Sequence, residues 1–334
     1  LLSRFRDQSV LVVGDFILDE YLVGDTKRVS REAPVVVIDY KESVFHPGGA
    51  ANAVQNVAAL EASASGCGVT GGDHYGRVLR DILSRRGADV SGLVTTEEIS
   101  TAVKTRILTG ELHAQRQQVA RIDRSYRIAR SSPAIEEVRR RSSVAFERAN
   151  VVLVSDYGMG VVPGPVSEWL IASSREKGVP VVVDSRYDMC AYVGASVATP
   201  NEVELIDAMN VRRRERVDLP SLARRAIEET GLDGLVITRG SRGMLVCDAN
   251  GLTAPVGIVG TTDVADVTGA GDTVAAVVAL SLASGASLLE AAEMATYAAS
   301  VVVMKRGTAT MSAGELLRAQ EEQPSPSDDA GDDR

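Results

Sequence analysis

The chain has 334 residues, with 36 Lys plus Arg against 45 Asp plus Glu, and 45% apolar and 24% charged residues. This composition excludes a disordered chain, a collagen-like repeat and a small disulfide scaffold, and the length suits one large α/β domain or two modest ones. The net charge of −9 is uneven: the last fourteen residues hold six acids and one Arg, and no part shows the basic bias that nucleic acid favours.

Cys67, Cys190 and Cys247 are far apart, odd in number and without metal-ligand spacing, which reads as reduced, buried thiols in a cytoplasmic protein. His46, His74 and His113 form no HExxH-type cluster, which argues against a zinc enzyme. The opening LLSRFRDQSV shows no secretory signal. The most apolar run, 273–304, is Ala-rich and broken by Ser281, Ser284, Gly285, Ser287, Glu290 and Glu293, so it reads as two buried helices rather than a membrane span.

Short β-branched runs alternate with helix-like segments, the pattern of a parallel sheet with helices on its faces. The first strand spans 10–14 and ends at Gly14-Asp15, with Asp19 four residues on. Ligands of open α/β sheets sit at that end, and two carboxylates suit sugar hydroxyls, although a strand-end Asp also serves as a plain cap. Residues 34–41 (PVVVIDYK) break the alternation and look like a β-ribbon. Pro47-Gly48-Gly49-Ala50-Ala51-Asn52 then opens a helix over 50–61. Adjacent glycines let a ligand approach the backbone, and Asn52 offers it a donor and an acceptor, but the same pair also makes an ordinary turn.

Strand 64–69 and helix 75–86 follow, joined through Gly72-Asp73-His74-Tyr75-Gly76. Residues 101–109 with 117–122 read as a second ribbon, either a lid beside a site or an edge of the main sheet. Helix 135–149, strand 151–155, helix 165–177 and strands 179–184 and 196–199 come next. Asn201-x-x-Glu204 puts two side chains on one helical face, where they hold a hydrated Mg²⁺ near phosphates or form an N-cap with an acidic first turn. Helix 219–230 and strand 234–238 lead into Thr238-Arg239-Gly240-Ser241-Arg242-Gly243, which either covers nucleotide phosphates or joins two strands.

The strongest local signal is Asp266-Val267-Thr268-Gly269-Ala270-Gly271-Asp272, running straight into helix 270–284, with helix 288–303 beyond. Small residues let the backbone approach an anion, and first-turn N–H groups point at it with the helix dipole behind them. Asp272 beside such a cradle handles a proton or a metal, or simply caps the helix while Gly269 and Gly271 make a turn. There is no GxxxxGK[ST] motif, and the GxGxxG spacing at 66–71 begins inside strand 64–69 and not between a strand and a helix start, so P-loop and ordinary Rossmann readings fail. After Leu317 the chain turns polar and acidic and is expected to fray.

In this order and spacing the motifs resemble the ribokinase/PfkB family of ATP-dependent sugar kinases over roughly residues 9–317. The 266–272 segment is similar to that family's C-terminal signature, Gly48-Gly49 with Asn52 to its sugar-binding element, and Asn201-x-x-Glu204 to its magnesium–phosphate motif. The resemblance implies a ribokinase-like three-layer α/β/α sandwich with a mostly parallel central sheet and a small β-lid. The kinase domain then covers 1–318, with lid insertions near 20–47 and 101–123, and 319–334 form a disordered acidic tail. It implies ATP and Mg²⁺ as cofactors, leaves a monovalent cation open, and implies a cytoplasmic homodimer paired through the lids. The expected partner is a sugar or sugar phosphate, with no nucleic acid and no membrane.

Residue by residue, the resemblance makes Asp272 the general base beside the Gly269, Ala270 and Gly271 backbone. Asp15, Asp19, Gly48, Gly49 and Asn52 orient the sugar, and Lys104, Arg106 and Arg186 are phosphate candidates or plain surface charges. Nucleotide falls to Thr238, Gly240, Ser241, Gly243, Asp266, Thr268 and Thr296, and Asn201 and Glu204 hold the metal through water.

Within the family the chain is most similar to bacterial D-glycero-D-manno-heptose 7-phosphate kinases. The likeness is carried by Arg28-Val29-Ser30, Glu32-Ala33-Pro34, Gln117-Gln118, Arg121-x-Asp123, Ser155-Asp156-Tyr157 and Lys305-x-Gly307-Thr308. It departs from that subgroup at Arg31, Ser185-Arg186 and Thr296, where Pro, Pro-Lys and Asn are usual, and around 110–114, where the hairpin is longer. The alternatives are a kinase of an unphosphorylated hexose or pentose, and a catalytically silent sugar- or nucleotide-binding regulator.

Overall fold

The computed structural model describes residues 1–110, 116–211, 217–260, 265–305 and 307–322. The strands are β1 (Ser9–Gly14), β2 (Phe16–Val29), β3 (Val36–Gly49), β4 (Ser63–Gly71), β5 (Leu93–Thr96), β6 (Ala102–Gly110), β7 (Gln117–Arg124), β8 (Val151–Asp156), β9 (Val181–Ser185), β10 (Val197–Ala198), β11 (Gly234–Thr238), β12 (Met244–Asp248) and β13 (Thr253–Val256). The α-helices are α1 (Ala50–Ala59), α2 (His74–Arg85), α3 (Pro133–Phe146), α4 (Pro165–Lys177), α5 (Glu202–Ala208), α6 (Leu219–Thr230), α7 (Ala270–Ala283), α8 (Leu288–Val302) and α9 (Ala313–Glu322).

Val10, Leu11, Val12 and Val13 of β1 are all fully buried, which requires a strand covered on both faces. Side chains alternate along a strand, so Val10 and Val12 join the buried cluster that includes α1, α7 and α8, while Leu11 and Val13 join the one that includes α3, α4 and α6. The result is a three-layer α/β/α sandwich. Its nine-stranded sheet runs β13-β12-β11-β10-β9-β8-β1-β4-β5, parallel from β11 to β5 and antiparallel at β12 and β13.

A second sheet, in the order β3-β2-β6-β7, stands beside the strand ends. It is rooted where β1 passes through Asp15 directly into β2 and where β3 runs into α1 at Gly49. β2 pairs parallel with β6, setting Asp19 opposite Lys104 and Tyr21 opposite Arg106. The period-two alternation puts all four on one face.

The structure extends and corrects the sequence reading in several places. β2 and β3 are long strands reaching well beyond the ribbon expected at 34–41, and β5, β12 and β13 were not foreseen. α9 continues to Glu322, past the boundary expected at 318, because Leu316 and Ala319 sit three apart on one helical face and are buried against α8, leaving Glu321 and Glu322 exposed. Residues 323–334 of the expected tail, and 111–114 of the longer hairpin, lie outside the described residues. No described helix is long and apolar enough to cross a membrane.

Candidate active site

Helix α7 starts at the C-terminal end of the parallel strands, with Gly269 as its N-cap. Gly269 has φ +80°, and a Cβ there would lie 2.6 Å from Asn52 Nδ2, so both backbone conformation and space demand glycine. At Gly271 a Cβ would meet nothing within 4 Å. Packing therefore does not require glycine at 271, and the open space lies where an anion would rest on the first helical turn. The Ala270 N–H is engaged by Val267 O at 3.2 Å, whereas the Gly271 and Asp272 amides belong to the first turn, which lacks carbonyls behind it.

Asp272, 3% exposed, occupies the third position of this helix. Asn52 Nδ2 donates to Asp272 Oδ2 at 2.7 Å, and the Tyr157 hydroxyl donates to Oδ1 at 3.0 Å. Burial lifts its pKa to about 6; the Asn52 and Tyr157 donors and the Lys104 charge pull it down, and Asp19 adds to the rise. A carboxylate ionised at neutral pH yet still a fair proton acceptor is what a general base requires. Burial and the neighbouring Asp272 and Asp184 push the Tyr157 phenol well above its ordinary value, so it stays a neutral donor.

A cavity of about 460 Å³ opens onto Asp272. One wall is the second sheet, which contributes Asp19, Lys104, Arg106 and Arg121. Arg106 Nη1 pairs with Asp19 Oδ1 at 2.5 Å, both largely buried, and lies over the Tyr21 ring. That guanidinium is already neutralised, and Arg121 is likewise paired with Asp123 at 2.8 Å, which leaves Lys104 and Arg186 as the cations best placed for an added anion. Lys104 Nζ sits 4.6 Å from the centroid of the Tyr157 ring, and burial lowers its pKa.

The opposite wall carries Asp184, Asn201 and Glu204. Asn201 and Glu204 form a reciprocal capping box at 2.9 Å in both directions, so the plain N-cap geometry is present. Yet both side chains also face the cavity. Burial raises the Glu204 pKa, and burial followed by the Asp272 charge raises that of Asp184 well above the carboxylate range. Clustered, desolvated oxygen donors suit a hard divalent cation. No three His, Cys, Asp or Glu among the described residues converge tightly enough to hold a metal alone.

A smaller, mostly apolar compartment of about 250 Å³ adjoins this cavity and shares Thr238, Val267 and Gly271 with it. The turn from β11 to β12 (Gly240, Ser241, Gly243) and the α8 side chains Thr296, Ala299 and Ser300 line it. Thr296 Oγ1 bonds back to Ala292 O at 3.0 Å, so it presents mainly its methyl group. This flat apolar slot leading to a polar, Gly-lined mouth has the form of a base-and-phosphate site. Another cavity, near Arg175, Gly194 and Asp233, opens at the far, N-terminal end of the strands, away from Asp272.

Of the residues singled out from sequence, Asp19, Gly49, Lys104, Arg106, Arg186, Asn201, Glu204, Thr238, Thr268, Gly269, Gly271 and Asp272 line the main cavity. Gly240, Ser241, Gly243, Ala270 and Thr296 line the apolar compartment. Asp15, Gly48, Asn52 and Asp266 are in neither wall. Asp15 is buried and accepts from Tyr157 N at 2.8 Å and Met159 N at 3.0 Å, fixing the loop that delivers Tyr157; burial raises its pKa to about 7. A Cβ at Gly48 would press on Asp19 Oδ2 at 2.7 Å. Asn52 lies behind Asp272, and Asp266 ties Thr268 N to Gly307 N.

The sequence reading assigned no role to Tyr157 or Asp184. Asp184 is the penultimate residue of β9 as Asp15 follows β1, so the strand-end carboxylate signal was present there too. Nothing local to Tyr157 reveals a partner 115 residues away.

The family model for pfkB carbohydrate kinases matches residues 7–313. The chain belongs to that family. Membership of a family of carbohydrate kinases accords with the compartment pair just described. It is 40% identical over 318 residues to the "Bifunctional protein HldE" of Geotalea uraniireducens, covering 95% of this chain and 64% of the relative. It is 38% identical over 329 residues to the protein of that name from Geobacter metallireducens, covering 98% and 66%. The chain thus spans slightly under two thirds of these relatives' length.

Arabidopsis thaliana ribokinase, solved with ribose and ATP, superposes with a TM-score of 0.70 at 20% identity, covering 93% of this chain and 98% of that one. Escherichia coli phosphofructokinase-2, solved with potassium, gives 0.73 at 19% identity, covering 94% and 98%. These two likenesses bear on the fold, which is ribokinase-like.

Proposed function

We propose that this kinase transfers the γ-phosphoryl group of ATP to the anomeric hydroxyl of D-glycero-D-manno-heptose 7-phosphate, giving the 1,7-bisphosphate and ADP. The observation that carries this reading is a buried carboxylate at a helix start facing a cavity whose other walls hold several cations. The likeness to relatives named HldE supports the choice of sugar.

In this reading Asp272 accepts the proton of the attacking hydroxyl as its oxygen forms a bond to the γ-phosphorus and the bond to the β,γ-bridging oxygen breaks. Tyr157 and Asn52 hold the carboxylate in place. The Gly271 and Asp272 amides stabilise charge on the transferring group, the main lever in such reactions. Asp19 and the Gly49 backbone orient the sugar, and Lys104 and Arg186 receive its distal phosphate. The adenine takes the compartment between Gly243 and Thr296. Asn201 and Glu204, joined by Asp184, would hold Mg²⁺ through water, and the metal would supply charge neutralisation at the phosphates. The exposed apolar side chains of the second sheet, Val29, Val36, Tyr40, Val119 and Ile122, support a homodimer formed through it.

The test is ATP turnover against heptose 7-phosphate, the dephosphorylated heptose, fructose, fructose 6-phosphate and ribose. Hydrogen bonds to a charged group contribute about 1.5–3 kcal/mol each, so the sugar phosphate should lead its unphosphorylated counterpart at least about tenfold in kcat/KM. A free sugar that turns over faster than every sugar phosphate overturns the substrate assignment.

A further inference from the structure

Behind Asp272 a file of polar side chains leads out of the cavity to the protein surface. Arg86, at the C-terminal cap of α2, donates through Nη1 to Gln55 Oε1. Gln55 Nε2 donates to Asn52 Oδ1 at 2.5 Å, and Asn52 Nδ2 donates to Asp272 Oδ2 at 2.7 Å. Gln55 and Asn52 are 1% and 0% exposed, so water offers them no alternative partners.

The chemistry of the two ends orients the amides between them. A guanidinium only donates, so Gln55 must turn its oxygen to Arg86 and its nitrogen to Asn52. Asn52 must then present its oxygen to Gln55 and its nitrogen to Asp272. Asn56 reinforces this sense: Thr273 Oγ1 donates to Asn56 Oδ1 at 3.1 Å, and Asn56 Nδ2 donates to Asn52 Oδ1 at 3.2 Å. The donors along the file therefore run toward Asp272, and the longer contacts of Gln55 Nε2 to Thr308 O and Asn52 Nδ2 to Gly269 O, both 3.4 Å, favour the same sense. A protonated carboxyl on Oδ2 would set donor against donor, whereas the carboxylate completes the file. Hydrogen bonds aligned in one direction also polarise one another.

We propose that Arg86 is a positioning residue for phosphoryl transfer, acting through Gln55 and Asn52 to keep Asp272 in its charged, proton-accepting form. The proposal rests on Asp272 as the general base. The other groups facing Asp272 are Tyr157 from the loop after β8, Lys104 from β6, Asp19 from β2 and Asp184 from β9. None of them belongs to the file, so removing Arg86 leaves them in place. His46 of β3 does feel Arg86, whose charge adds to burial in lowering its pKa, so Arg86→Met is also measured on a His46→Gln background, where the moved limb must persist.

The test is the single-turnover rate of Arg86→Met between pH 5.5 and 8.5, beside wild type, Arg86→Lys, Gln55→Glu and Asp272→Asn. Met keeps the apolar stem but neither charge nor donor. The acidic limb of its rate profile should move to higher pH, with a roughly three- to tenfold loss at pH 6 that recovers to within twofold at pH 8.5, and the KM for ATP should hold. Lys should restore most of the loss. Gln55→Glu sets an acceptor against Asn52 Oδ1, reverses the Asn52 amide and should move the limb further.

A purely structural role for Arg86 would lower the rate by one factor at every pH, and that outcome, or an unmoved limb, overturns the proposal. Asp272→Asn separates the two readings. Near-normal turnover in that variant removes the base and the relay together. Abolished turnover with an unmoved Arg86→Met limb removes the relay alone.

Discussion

Asp272→Asn should move activity and stability in opposite directions. Folding raises the Asp272 pKa from 3.8 to about 6, so keeping it ionised costs the native state on the order of 3 kcal/mol. The sign follows from the raised carboxylate pKa: below about pH 4 both states are protonated and the cost is absent. It grows between about pH 4 and 6 and is fully present above that range. Asparagine carries no such cost, and it can turn its oxygen to Asn52 Nδ2 and its nitrogen to the Tyr157 hydroxyl oxygen, so both neighbours keep a partner.

The variant should therefore melt about 2–4 °C higher than wild type at pH 8, with the difference vanishing toward pH 4. Turnover should fall about 10²- to 10⁴-fold, the span of a positioned general base, while ATP affinity measured calorimetrically changes little. Coupled detection of ADP release and differential scanning calorimetry across pH read the two effects. Turnover within fivefold of wild type, or a lower melting temperature at pH 8, would refute the argument.

The pH profile of wild-type kcat/KM should show an acidic limb near pH 6, because protonating Asp272 removes the base; a limb near 4 would place the working carboxylate elsewhere. Gly269→Ala forces φ +80° on a side chain that also meets Asn52 Nδ2, so it should lower stability by at least about 1 kcal/mol and turnover at least tenfold. Gly271→Ala, with open space at its Cβ, should leave the melting temperature unchanged yet raise the KM for ATP, a pairing read by calorimetry and initial rates. Light scattering at micromolar concentration should give twice the chain mass, and a strictly monomeric species would contradict pairing through the second sheet. Deleting 323–334, which hold four Asp and no large apolar residue, should alter neither melting temperature nor turnover.

The main layers were legible because they rest on backbone preference and short-range pattern. The run Val10 to Val13 is apolar at every position, which states that both faces are covered. The seven helices read from the sequence reappear within a few residues, with 165–177 and 219–230 as expected. Two misses share a cause: β5 and β13 are only four residues long, too short for periodicity to declare them. α9 carries acidic residues that resemble a fraying tail until a neighbouring helix covers Leu316 and Ala319.

The candidate site divides along the same line. The 266–272 segment announces a helix start with a close-approach glycine, because φ and the absence of a Cβ are properties of single residues. What sequence leaves open is how these groups pair. Asn52 and Asp272 are 220 residues apart and Tyr157 and Asp272 are 115 apart, joined because β8 lies beside β1 while α1 and α7 pack on one face of the sheet. Arg106 reads from sequence as a free cation, and only the parallel pairing of β2 with β6 brings Asp19 against it. Local chemistry thus settled which residues could act. Strand order and burial decided which of them meet, and burial moves the Asp272 proton affinity toward neutrality, because desolvation and neighbouring charge exist only once distant segments have excluded water together.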